Sequence, residues 1–159
     1  MIELRPLRPE DAAAHKAGED EEQLRAFEFP GPAAIENVVA AIEAWQESWR
    51  SGGPVRNFGV WDIATGALVG NVEVRVTEPG RVNLSYLVFP EWRRRGIAVQ
   101  AALLALGYAA DALGATVATI KVLHTNEASL GVVRALGAVR VGDEPSERGN
   151  AFEVFELAL

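Results

Sequence analysis

Between Val82 and Leu106 a strand, a basic glycine-bearing turn and the start of a helix follow one another without a gap. Val82-Asn83-Leu84-Ser85-Tyr86-Leu87-Val88-Phe89 is rich in β-branched and aromatic residues. Pro90 breaks it, and after Glu91-Trp92-Arg93-Arg94-Arg95-Gly96-Ile97-Ala98 the chain runs on as a helix. The first amides of a helix have no intrahelical partner and point outward with the positive end of the helix dipole, so this junction favours a phosphate. Gly96 lets the backbone approach a ligand closely, and small Ala98 leaves room for the same approach. Three consecutive arginines add charge-assisted donors for phosphate oxygens. On the turn alone, a helix start with merely solvated arginines stays equally open.

A chain of 159 residues suits one domain, residues 1–159, with a core that needs no staple. The absence of cysteine leaves no disulfide and no thiol chemistry, which suits a reducing compartment. No apolar run approaches the ~20 residues of a membrane span. Met1-Ile2-Glu3-Leu4-Arg5 is too polar to open a signal peptide, so the expectation is a cytoplasmic protein with no membrane partner. A net charge of -7 disfavours nucleic acid and leaves room for a cationic or amine partner. Any phosphate-bearing ligand then needs a local basic patch, and Arg93 to Arg95 form the densest one. His15 and His124 are isolated and the carboxylates lack ligand spacing, so no metal is implied. Neither a Gly-x-Ser-x-Gly elbow nor a P-loop occurs.

Ile2 to Leu7 alternates as an edge strand would, with Pro6 tolerable there. Pro9-Glu10-Asp11 opens a short helix that ends near Gly18. The acids Glu19-Asp20-Glu21-Glu22 read as a solvated loop or helix edge. From Pro32, apolar residues at 35, 38, 39, 42, 45 and 49 recur at helical spacing until Ser51-Gly52-Gly53-Pro54 stops them. Val55 to Asp62 and Ala67 to Val76 read as strands around the turn Ile63-Ala64-Thr65-Gly66, and Thr77-Glu78-Pro79-Gly80 leads into the strand Arg81 to Phe89. The helix after Gly96 is apolar nearly all round, with a principal stripe read as Val99, Leu103, Leu106, Ala110 and Leu113 and cover on most sides. Thr116 to Leu123 is a strand, Asn126 caps a helix to Leu136, and Val139-Arg140-Val141 and Phe152 to Leu157 close the chain as a hairpin.

The segment Arg93-x-x-Gly96-x-Ala98 resembles the Arg/Gln-x-x-Gly-x-Gly/Ala signature of the GNAT superfamily of acyl-CoA-dependent N-acyltransferases, placed as in that family between a central strand and its following helix. Asn126-Glu127-Ala128-Ser129, followed by Val133-Arg134-Ala135-Leu136-Gly137-Ala138, is similar to the Asn-x-x-Ser helix and closing glycine of the RimJ/RimL-like branch, which acetylates ribosomal-protein N-termini and related amines. The resemblance implies an α/β (α+β) fold, a mixed and mostly antiparallel seven-stranded sheet with about four helices on both faces. It implies acetyl-CoA as co-substrate, its diphosphate on Arg93, Arg94, Arg95, Gly96, Ile97 and Ala98. The pantetheine arm would add like a strand to the open edge at Leu87, Val88 and Phe89, contact Asn126, and leave a backbone N–H to polarise the acetyl carbonyl. Such addition needs a splay beside the central strand. Residues from Glu19 to Pro30 would border the acceptor.

N-acetylation further needs a proton for the departing thiolate and a route for the proton of the amine. Much of the superfamily uses a tyrosine seven residues after the asparagine, where this chain has Val133. Ser129 matches the serine of the RimJ/RimL-like branch near the coenzyme sulfur and is the candidate acid or thiolate donor, although it also fits a capped first helical turn, as Asn126 fits a cap. Relatives often carry a glutamate three residues before the aromatic that stands here as Tyr86. Asn83 occupies that place and takes no proton. Glu73 on the neighbouring strand is the substitute base, relaying through water, against its reading as a cross-strand-paired surface carboxylate. His124 is a further candidate by pKa. With no cysteine to carry an acyl group, transfer to a primary amine, a protein N-terminus or a small amine, would be direct and in a ternary complex. A non-catalytic acyl-CoA sensor is the alternative, and a homodimer is compatible with either.

Overall fold

The computed structural model describes all 159 residues. Strand β1 (Ile2–Arg5) stops before Pro6, and a 3-10 turn at Pro9–Asp11 leads into α1 (Ala12–Ala17). Then come α2 (Glu21–Ala26), α3 (Ile35–Ser51), β2 (Val55–Asp62), β3 (Leu68–Glu78) and β4 (Arg81–Val88). A second 3-10 turn at Pro90–Trp92 precedes α4 (Ile97–Leu113), followed by β5 (Val117–Leu123), α5 (Glu127–Leu136), β6 (Val139–Pro145) and β7 (Ala151–Ala158).

The seven strands form one sheet in the order β1-β2-β3-β4-β5-β7-β6, antiparallel throughout except between β4 and β5. Alternation along the strands divides the side chains between two faces. On one face Val60, Val72, Val74, Leu84 and Ile120 pack against α4 and α5 through Ala105, Leu106 and Val133. On the other, Leu68 and Phe89 meet Ala12 of α1 and Val38 and Ile42 of α3. Burying a side chain such as Ile42 completely contributes about 1.5–3 kcal/mol. Trp49 is structural: its indole N–H donates to the Asn57 carbonyl at 2.9 Å and its ring packs on Phe58 and Tyr108.

The expected stripe of α4 is corrected by the structure. The buried face of α4 consists of Ile97, Ala101, Ala102, Ala105, Leu106 and Ala109, whereas Leu103 and Leu104 are 55% and 47% exposed. Alanines let the helix axis lie close to the sheet, so four of the six inward positions are alanine and Leu103 and Leu104 are left outside. The mixed, mostly antiparallel seven-stranded sheet with helices on both faces is as expected; its five helices include α2, at whose edge the acidic run stands, with the Asp20 side chain capping it by accepting from the Gln23 amide at 3.0 Å.

Candidate active site

The ladder between β4 and β5 is short, running only from Arg81 opposite Val117 to Asn83 opposite Thr119. Beyond it β4 stays with β3 as far as Val88 opposite Gly70, and β5 stays with β7 as far as Leu123 opposite Phe152. Held by different neighbours, the two strands part. The gap is a cleft of about 990 Å³, floored by both strand arms and bordered by the first turns of α4 and α5 and by α2. It reaches both faces of the sheet, since Tyr86, Ile120 and Val122 line it on the α4 side while Ser85, Leu87, Lys121 and Leu123 belong to the other.

Backbone polarity along the open edge follows from the ladder. The Phe89 amide donates to the Val69 carbonyl at 2.9 Å, flanking the Gly70–Val88 pair. In an antiparallel pair that pattern turns the N–H and C=O of Val88, and two residues earlier those of Tyr86, away from β3 and toward the cleft. Gly70 marks a close approach on the other side, where a Cβ would stand 2.4 Å from the Leu87 carbonyl oxygen. Of the three edge residues anticipated, therefore, only Val88 offers a free backbone N–H to the cleft, its carbonyl accepting from Arg93. Leu87 and Phe89 are engaged with β3, and the Phe89 ring is buried against His15 and over Gly18.

At the turn before α4, Gly96 is the N-cap residue with φ 74°, and Arg94 also has a positive φ, 60°. The amides of Arg94 through Val99 donate to no other part of the chain and no side chain caps them. A run of free amides at the positive end of a 17-residue helix is an anion cradle. The three arginines beside it are not equivalent. Arg94 borders the cleft and its side chain has no partner within the chain. Arg95 turns back, donating to the Glu91 carbonyl at 2.8 Å and lying 4.9 Å over the Trp92 ring. Arg93 is fully occupied: Nε donates to the Val88 carbonyl at 3.0 Å, and the terminal nitrogens hold both Asp20 carboxylate oxygens at 2.7 and 2.9 Å and Glu22 at 2.8 Å. The hydrogen bonds from Arg93 hold the Asp20 carboxyl below its ordinary range.

Across the cleft, the Asn126 side chain caps α5 by accepting from the Ser129 amide at 3.1 Å. This brings the Ser129 hydroxyl to 2.7 Å from the Tyr86 hydroxyl on β4. Burial pushes the Tyr86 phenol above its ordinary pKa, only partly opposed by the Ser129 hydrogen bond, so the pair holds its protons at neutral pH. In the sequence Tyr86 stands only as the aromatic three residues after Asn83. A hydroxyl on the otherwise aliphatic face of Val82, Leu84 and Val88 was the available signal, because a buried tyrosine needs a partner for its O–H. Val133, at the place where the resemblance leads one to look for a tyrosine, is fully buried in the core.

Glu73 sits on the opposite face of the sheet from Tyr86, directly across from Ser85. Its side chain is 15% exposed, accepting from Asn57 at 2.9 Å and pairing with Arg75 at 3.2 Å, and it does not line the cleft. Asn57 and Asn71, both buried, exchange reciprocal amide hydrogen bonds at 3.1 and 2.7 Å beside it. The Asn83 side-chain oxygen is buried without a partner. His124 is exposed, 3.2 Å from the Ala151 carbonyl and outside the cleft. No group of three or more metal-ligating side chains converges anywhere in the chain, and no helix is long and apolar enough to cross a membrane.

Residues 2–139 match the acetyltransferase (GNAT) domain. The chain belongs to the GNAT acetyltransferases. This GNAT domain is an N-acetyltransferase that draws its acetyl group from acetyl-CoA. No curated protein matches it by sequence. Among solved structures its fold recurs in a probable acetyltransferase at 18% identity and TM-score 0.88, covering 99% of this chain and 92% of the other. RimL, the ribosomal L7/L12 alpha-N-protein acetyltransferase, solved with coenzyme A, superposes with TM-score 0.85 at 16% identity, covering 99% and 94%. The spermidine N-acetyltransferase of Vibrio cholerae, solved with CoA and spermine, gives 0.82 at 18%, covering 99% and 95%. The residues of the GNAT cleft suit the coenzyme: free amides and Arg94 for phosphate, and an unpaired strand edge for an extended amide-bearing arm.

Proposed function

We propose that this enzyme belongs to the RimJ/RimL-like branch and acetylates a primary amine, a protein N-terminus or a small amine, by direct transfer in a ternary complex. The observation that carries the reading is the parting of β4 from β5, which brings the outward-facing Val88 amide and the Tyr86–Ser129 pair to the same cleft. Bound acetyl-CoA supplies the thioester. The amides of Arg94 to Val99 and the Arg94 guanidinium hold its diphosphate, and Asn126 borders its arm. The Val88 N–H donates to the acetyl oxygen as negative charge develops there. Ser129 gives its proton to the leaving thiolate as Tyr86 passes its own proton to Ser129, and the resulting tyrosinate, disfavoured by burial, takes a proton back from solvent entering the open cleft. On the other face of the sheet, Glu73 takes the amine proton through water past Ser85, which stands opposite it and lines the cleft. With no cysteine in the chain, no acyl-enzyme on sulfur intervenes.

Two structural relatives, one named for a ribosomal protein N-terminus and one for spermidine, support an amine acceptor of either kind. A competing reading, a coenzyme sensor without turnover, draws on Asn83 in place of a base and on the tethering of Glu73 by Asn57 and Arg75. Calorimetric titration with acetyl-CoA, desulfo-CoA and ADP, followed by thiol release against spermidine, ethanolamine and N-terminal peptides, separates them. Binding with amine-dependent thiol release is the expected result. Binding without release across the panel selects the sensor, and no binding overturns the assignment of the cradle.

A further inference from the structure

Helix α2 has six residues and buries only one of them, Gln23, a polar residue that is 6% exposed. So short a helix has no stability of its own, and this one has almost no apolar face to dock. It nevertheless supplies Glu22, Gln23, Arg25 and Ala26 to the wall of the cleft. What holds it is polar at both ends. Beyond its C-terminus, Glu28, at a positive φ of 55°, accepts from the Ser146 hydroxyl at 2.9 Å and from the Asn150 side chain at 2.8 Å, tying the segment to the β6–β7 loop. At its N-terminus, Asp20 and Glu22 grip Arg93, which also holds the Val88 carbonyl.

We propose that Asp20 is a positioning residue which, through Arg93, fixes α2 as the acceptor-side wall of the cleft, and that Arg93 serves this clasp rather than the coenzyme phosphates. This rests on the reading of the cleft as the acetyl-transfer site. The wall is on the acceptor side because α2 connects α1 to α3, which cover the face opposite α4 and its anion cradle. Arg93 has no guanidinium nitrogen without a partner in the chain, whereas Arg94 beside it has none of its nitrogens engaged. The clasp also offsets part of the negative charge that two carboxylates place at the rim. Without Arg93, Asp20 and Glu22 would stand as bare negative charges beside the phosphate cradle, so coenzyme affinity would fall by repulsion even though no phosphate contact had been lost.

Three variants separate the clasp from a phosphate ligand. Asp20→Asn keeps the helix cap, since asparagine caps as well as aspartate, and removes from the pair its charge and one of the two oxygens that accept from Arg93. It should speed hydrogen exchange of the α2 amides of Leu24 to Phe27 and raise the KM of the amine that releases thiol fastest among spermidine, ethanolamine and a serine-initiated peptide. Losing a charge-assisted hydrogen bond predicts a rise of about tenfold, with the Kd for ADP changing by less than about twofold. Arg93→Gln should weaken ADP binding, and the triple variant Arg93→Gln, Asp20→Asn, Glu22→Gln should restore it while leaving the amine KM high. A triple variant that binds ADP as poorly as Arg93→Gln makes Arg93 a phosphate ligand and overturns the proposal. So does unchanged α2 exchange in Asp20→Asn, or faster exchange with an unchanged amine KM. Wild-type protein that fails to bind ADP overturns both this reading and the transfer site beneath it.

Discussion

Replacing Gly96 by alanine separates what the fold needs at the α4 N-cap from what the coenzyme needs. An added Cβ would meet only the Gln100 side-chain nitrogen at 3.8 Å, an ordinary contact, so the chain has room for it. The residue has φ 74°, and an L side chain in that region costs roughly 1–2 kcal/mol. For a domain of this size that is a fall of about 2–4 °C in Tm for each kcal/mol. Gly66, in the β2–β3 turn at φ 72° with nothing within 4 Å of its Cβ position, supplies the control, because Gly66→Ala carries the same conformational cost far from the cradle. The ligand term differs. A methyl among the free amides of Arg94 to Val99 holds a phosphate off at least one of them, and a hydrogen bond to a charged group is worth about 1.5–3 kcal/mol, or roughly ten- to a hundredfold in Kd. Scanning calorimetry should find similar losses of stability in the two variants, while titration with ADP and desulfo-CoA should find weakened binding in Gly96→Ala alone. Equal affinities in the two variants would refute the cradle.

Tyr86→Phe and Ser129→Ala should each lower kcat by about a hundredfold, in the range of general-acid catalysis, with little change in the KM for acetyl-CoA. The double variant should be no slower than the slower single one, whereas multiplying effects would break the proposed relay. His15 gives a pH signature of stability. Desolvation lowers its pKa, against an opposing pull from Glu19, in a pocket where its ring faces Trp45 and Phe89 and its Nε2 has no partner. The unfolded chain therefore takes up a proton below about pH 6.5 before the folded one does, and stability is lost as pH falls from there toward the folded value. The depressed Asp20 carboxyl loses its contribution in a separate window, below its unfolded value of about 3.9. Urea unfolding at pH 7 and pH 5 should show a drop in the wild type that His15→Leu removes, and equal drops would return the cause to other groups.

The elements legible in the sequence were those whose signals are local. Strand alternation in β2 and β3, the Asn126 cap and the strand-turn-helix around Gly96 all stand within a few residues of what causes them. Periodicity failed on α4 because a helix apolar on every side has no phase, and side-chain size misdirected the reading toward Leu103. Nothing local announces α2, which has no apolar stripe and whose anchor, Arg93, lies 73 residues beyond Asp20. In the site, the anion cradle was readable as a helix start, but the division of labour among its three arginines was not, since partners outside the turn decide it. The Tyr86–Ser129 contact spans 43 residues and depends on where β4 leaves β5, a matter of sheet register that no single strand encodes.

Register gives the buried Asn57–Asn71 pair a meaning beyond its two hydrogen bonds. Asparagine side chains matched this closely from β2 to β3 fit one alignment, and a slip of one strand by one residue would drive its asparagine onto the aliphatic face and leave the other without its partner. On the far edge of β3, Gly70 admits the Leu87 carbonyl at a distance no side chain would allow. The two features act as alignment pins on either side of one strand. A slip of β4 by one position would present the Leu87 amide to the cleft in place of Val88 and turn Tyr86 away from Ser129. Two asparagines and a glycine thus decide which backbone N–H of β4 faces the cleft.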